Sequence, residues 1–193
     1  MSVCNPDRAA AYALLTEYNE SLNLIRHALA VEAVMRRFAK HYAASDREKW
    51  GIVGLVHDLD YEKFPAEHCR KVREILSGRE WPEEYIRAVE SHGWGICSEV
   101  EPVSIMEKVL YTVDELTGLI AAAALVRPSR SILDLNLKSV RKKWKDKAFA
   151  AGVSREVIEE GARSLGMELD QVIEMTIEGM RQVAAEIGLK GNL

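Results

Sequence analysis

The sequence predicts an all-α bundle, and three observations carry that expectation. Apolar residues recur at helical spacing in nearly every segment, residues that start and stop helices fall at the segment ends, and no stretch alternates like a half-buried strand. With no internal repeat and no low-complexity tract, about eight or nine helices are expected in a single domain over residues 1–193.

Taken in order, "NPDRAAAYALLTEYN" opens with Asn5 as a helix cap and Pro6 at the first helical position. A long helix from Leu22 to Tyr42 then puts Leu24, Val31, Val34, Met35 and Phe38 on one stripe. Ser45 with Glu48 reads as a capping box for a helix that runs to His57, and "HDLDYEKF" follows as a loop. Pro65, Pro82 and Pro102 each suit a first helical turn, which predicts helices over Pro65 to Leu76, Pro82 to His92 and Pro102 to Val126. Beyond Arg127-Pro128 the composition turns basic in "LKSVRKKWKDKAF", with Trp144 and Phe149 as apolar anchors. Two amphipathic helices, Ser154 to Leu165 and Met167 to Ile187, complete a C-terminal extension over about 130–193.

At 193 residues and 48% hydrophobic, the chain can bury one sizeable core. Its net charge of -4 argues weakly against a general nucleic-acid binder and leaves a small molecule or a protein as the default partner. The start "MSVCNPDRAA" has no secretory pattern, and no apolar run approaches the roughly 20 residues of a membrane span, so a cytoplasmic protein with no membrane partner is expected. Cys4, Cys69 and Cys97 are widely spaced with no CxxC pair, which predicts reduced thiols.

Four of the five histidines fall on apolar faces. His27 lies three residues after Leu24 and four before Val31, and His57 lies four after Val53. His68 precedes Val72 by four, while His92 follows Val89 by three. Asp114 sits among Leu110, Tyr111 and Gly118 at helical spacing, where an unpaired carboxylate is expensive. A single inward histidine is ordinarily a hydrogen-bonded core residue, the reading that suits His41 at the solvent end of its helix. Four imidazoles with the carboxylates of Asp58 and Asp114 are different, because a divalent cation satisfies all of them together.

In order, His27, His57-Asp58, His68, His92 and Asp114 read H…HD…H…H…D, which resembles the HD-domain superfamily of metal-dependent phosphohydrolases over about residues 20–125. The resemblance implies an HD-type helical core in which His27, His57, Asp58 and Asp114 hold a first metal, with Asp58 placed to bridge to a second. His68 and His92 match the positions that complete the second site in dinuclear members. In a mononuclear site they line the phosphate pocket as hydrogen-bond donors or proton carriers, which with Asp58 makes a catalytic trio. One or two divalent ions of Mn, Fe, Co, Ni or Zn are implied, together with a small phosphomonoester or phosphodiester substrate, of nucleotide type or related, attacked by metal-activated water. Many members read HDIG after the histidine, whereas Asp60 stands at the glycine position here and leaves the loop shape and the role of Lys63 open. The segment "LKSVRKKWKDKAFAAGVSRE" resembles a subgroup of small HD proteins.

Lys63, Lys145 and Lys147 are the candidate substrate-binding residues: the first borders the HD loop, and the other two belong to the basic segment with Lys138, Arg141, Lys142 and Lys143. A solvated helix face, with Trp144 and Phe149 as its buried anchors, is the simpler account of that segment. On a continuous helix Cys69 would point about 100° away from His68, as ordinary packing. Gly51 and Gly54 suit close helix approach beside the metal. Two further functions stand beside the hydrolase: an HD-type di-iron oxygenase, and a non-catalytic protein whose metal only staples the bundle.

Overall fold

The computed structural model describes residues 5–193, so Cys4 lies outside the described residues. Within that range the chain forms α1 (Arg8–Tyr18), α2 (Leu22–His41), α3 (Arg47–Val56), a 3-10 turn (Pro65–Glu67), α4 (Arg70–Gly78), α5 (Glu83–Ser91), α6 (Ile105–Leu125), α7 (Leu137–Trp144), α8 (Arg155–Ser164) and α9 (Leu169–Arg181). No strand occurs among the described residues, and the fold is the all-α bundle that the periodicity predicts. None of its helices is long and apolar enough to cross a membrane.

Helices α2 and α6 form the axis of the bundle. α2 packs on α3, α6 and α9, while α6 also receives α5, α7 and α8. Their buried faces carry Val31, Val34, Met35 and Phe38 on α2 and Val113, Leu116 and Ile120 on α6, each fully excluded from solvent. Glycine sets two of the contacts. A Cβ on Gly54 would lie 2.8 Å from Met35 Cγ and 3.1 Å from the Val31 carbonyl, so α3 reaches the backbone of α2 just ahead of His57. Gly179 does the same for α9, where an added Cβ would stand 2.8 Å from Val34 Cα.

Several helix starts differ from their sequence signals. Asp7, not Asn5, caps α1, accepting from the Ala10 N–H at 2.7 Å. The Ser45–Glu48 capping box does not form; Asp46 precedes α3, and Glu48 instead accepts from Arg36, itself paired to the buried Glu32. The real box is Ser104 with Glu107 at the head of α6, where each side chain meets the other's backbone N–H. The segment after Pro65 is not one helix: it breaks at Cys69, whose φ of 67° forbids continuation. α9 likewise ends at Arg181, and the chain reaches Ile187 through turns that close at Gly188.

Candidate metal centre

Six polar side chains converge where the ends of α3 and α5 meet the middle of α2 and α6. His57 is the residue at which α3 stops, so His57 and Asp58 leave the core together at the helix end, and His92 occupies the same position on α5. His27 and Asp114 come from the interiors of α2 and α6.

The orientation of the imidazoles is fixed from behind. His57 Nδ1 lies 2.8 Å from the Gly54 carbonyl, and His92 Nδ1 is in close contact with the Val89 carbonyl. A carbonyl can only accept, so both Nδ1 atoms carry the proton. His68 Nδ1 donates to Asp60 Oδ1 at 2.7 Å. Thr117 donates its hydroxyl proton to the Asp114 carbonyl at 2.7 Å and so presents a lone pair to His27 Nδ1 at 3.4 Å. All four rings therefore turn Nε2 inward.

The Nε2 atoms meet in two pairs, His27 with His57 at 3.2 Å and His68 with His92 at 3.3 Å. Asp58 stands between the pairs. Its Oδ2 is 3.4 Å from His57 and 3.7 Å from His27, while its Oδ1 is 3.4 Å from His92 and 3.5 Å from His68. Asp114 Oδ1 closes the first pair at 2.9 Å from His27 and 3.2 Å from His57. Burial opposes charge on His57, but the Asp58 and Asp114 carboxylates overcome it and hold the ring well above the ordinary histidine range. His92 is buried too and is raised through its hydrogen bond to Asp58. Burial likewise pushes Asp58 and Asp114 toward protonation, and the adjacent imidazoles reverse it, holding both carboxyls far below the usual carboxylate range.

This donor set fits a divalent cation. Two neutral imidazoles whose Nε2 lone pairs face each other at 3.2 Å repel unless a proton or a metal lies between them. His27, His57, Asp58 and Asp114 can each offer one ligand atom within a sphere of 4.8 Å. His68, Cys69 and His92 form a second such group. The site is not sealed: a cleft of about 420 Å³, bordered by Tyr61, Ile96 and Glu115, opens onto Asp58, His68, His92 and Asp114.

The HD-domain family model matches residues 24–119, which take in all six of these side chains. The chain belongs to the HD-domain superfamily. Comparison with curated proteins and comparison with solved structures each return no match. HD domains bind divalent metals, in keeping with the paired imidazoles and carboxylates assembled here.

Three features of this HD domain escape the sequence. Asp60, at the position where many HD domains carry glycine, is fully buried; it orients His68 with one oxygen and accepts the Val72 N–H with the other at 2.8 Å, so one carboxylate both aims a histidine and caps α4. The one available signal was the departure from glycine at that position. Cys69 and Cys97 are not separate thiols but are joined across 6.1 Å between Cα atoms. The break in the helix turns Cys69 toward His92, with Sγ 3.9 Å from Nε2, so the residue does not point away from the site as it would on a continuous helix. The pairing also takes the Cys69 sulfur out of the donor set. Finally, His68 faces inward from the turn before α4, not from a helix face.

The basic candidates lie elsewhere. Lys63 donates to the Glu17 carbonyl at 2.7 Å and sits over the Tyr18 ring, while neighbouring Glu62 accepts from the Glu20 and Ser21 N–H groups, so both tie the HD loop to the α1–α2 connection. Lys145 and Lys147 line a separate surface cleft beside Trp144 and Arg155. Among the described residues, no lysine or arginine borders the metal cleft. Gly51 and Gly54 admit Arg36 and the α2 backbone to α3, the close approach expected of them.

Proposed function

We propose that the protein is a metal-dependent phosphohydrolase that holds two divalent ions and cleaves a small phosphomonoester or phosphodiester. The observation that carries this reading is the position of Asp58, with one oxygen toward each histidine pair. His27, His57 and Asp114 would complete one ion's ligands, and His68 and His92 the other's. The ions supply Lewis acidity, lowering the pKa of water and drawing charge from phosphoryl oxygens.

The chain's own groups do the rest. The Nδ1 contacts of the four imidazoles hold the donors in place before substrate arrives, so little reorganisation accompanies the reaction. The cleft admits substrate from one side, which supports catalysis over a purely structural ion. Glu115 borders it beside Asp114; burial and the Asp114 charge raise its carboxyl above the usual range. Because no lysine or arginine among the described residues borders the cleft, charge neutralisation of a phosphate there would fall to the metal. The paired arrangement also suits a di-iron oxygenase, which is distinguished by the metal it retains.

The test is a panel of phosphomonoesters and phosphodiesters offered to protein loaded in turn with Mn, Fe, Co, Ni and Zn. Phosphate release by at least one form, lost in Asp58→Ala, is expected. A fully loaded protein inert across the panel contradicts the reading, and oxygen uptake by the iron form redirects it to the oxygenase.

A further inference from the structure

A second cavity, of about 380 Å³, lies between α2, α6 and the C-terminal extension, and its wall is mostly apolar. His27 and Gly118 border both this cavity and the metal cleft, so the two meet along those residues. At that junction a Cβ on Gly118 would find only Val153 Cγ2, at 3.8 Å, within contact range. Among the described residues, Arg26 is the one lysine, arginine or acidic residue of the wall.

Arg26 is not engaged in structure. Its Nε is buried without a hydrogen-bond partner, and no ion pair forms to it among the described residues. A buried Nε–H without an acceptor is costly to the fold, and a guanidinium is the group best shaped to take an oxyanion from a ligand. The chain makes room for it: Gly188, at φ +71°, lies so close that a Cβ there would stand 2.7 Å from Arg26 Cζ. Gly188, Met180 and Leu189 belong to the extension, beyond the residues 24–119 that match the HD model, so this wall is an addition to the shared core.

We infer that this cavity is a substrate subsite that takes an apolar body carrying a second oxyanion, with Arg26 binding that oxyanion while the reacting phosphate lies at the metal centre. The substrate class that follows is an amphipathic phosphate ester with two anionic ends. The fate of the ester rests on the hydrolase reading, whereas the subsite itself is tested by binding.

Titrating the purified chain with 2-naphthoate, 2-naphthylmethylphosphonate and uncharged 2-naphthylmethanol reads the subsite directly. Arg26→Ala is expected to weaken the better of the two anions by at least about tenfold, the loss of one charge-assisted contact, with partial recovery in Arg26→Lys and little change for the alcohol. Which anion binds more tightly tells carboxylate from phosphonate recognition. Gly118→Leu, which fills the junction, should lower the preference for 6-carboxy-2-naphthyl phosphate over phenyl phosphate in turnover. Anion binding that depends on Arg26, in a protein that hydrolyses no ester, keeps the subsite and removes the hydrolase. Ester hydrolysis, with anion binding absent or equal in Arg26→Ala, overturns the subsite and leaves the hydrolase standing.

Discussion

Replacing Asp60 by asparagine separates the two duties of one buried carboxylate. In the native protein Oδ1 accepts from His68 Nδ1 at 2.7 Å and Oδ2 accepts from the Val72 N–H at 2.8 Å, with no solvent to substitute for either. Asparagine has a single acceptor oxygen, so one of these N–H groups must face an NH₂ donor. If Val72 loses its acceptor, the head of α4 is left with a buried unsatisfied donor, at about 1–3 kcal/mol. If His68 loses it, the ring is freed to rotate or change tautomer, and the removal of such a supporting contact typically costs about 10–100-fold in metal affinity. Cobalt titration resolved into successive equivalents, with a melting curve on each sample, reads both. The second equivalent is expected to weaken by about that factor while the first is retained, since His27, His57 and Asp114 do not touch Asp60. A second equivalent bound as tightly as in the native chain, with the melting temperature also unchanged, would refute the roles assigned to Asp60.

Other outcomes follow from the same geometry. Asp58→Ala should remove both metal retention and turnover in a folded protein, because it deletes the carboxylate shared by the two histidine pairs; unchanged metal content would sink the ligand assignment. The pH dependence should invert on loading. His57 and His92 are raised in the metal-free fold, so their stabilisation is full below about pH 6.5 and is lost as pH rises through their folded values, while that of Asp58 and Asp114 is lost only as pH falls through their depressed ones. Metal displaces the imidazolium protons, so affinity should rise with pH over the range where metal-free stability falls, and parallel trends in melting experiments would contradict this. Gly179→Ala should cost about 1–3 kcal/mol, because the added Cβ meets the α2 backbone at Val34, which cannot yield as a side chain could; an unchanged denaturation midpoint would count against that packing.

The helices were legible because their signals are local. The α2 stripe and the proline ahead of α5 predict elements within a residue or two of where they stand. The metal residues were legible as a set because an inward histidine is costly alone, and four on different segments share that cost. What the sequence concealed depends on distant contacts. Ser45 and Glu48 have the spacing of a cap, yet Glu48 is taken by Arg36 from another helix. Asp60 reads as a loop residue until α4 is placed above it, and Cys69 reads as helical until its positive φ turns it to Cys97. Arg26 carried no signal, since its lack of a partner and the cavity beside it emerge only when the extension folds back on α2 and α6.

The central claim is that two ions share Asp58, and elemental analysis of purified protein reconstituted with Mn, Fe, Co, Ni or Zn tests it most directly. The native chain should carry two equivalents of at least one of these metals, His68→Ala one, and Asp58→Ala none. A native chain that never exceeds one equivalent, or an Asp58→Ala chain that keeps its full complement, would contradict the account.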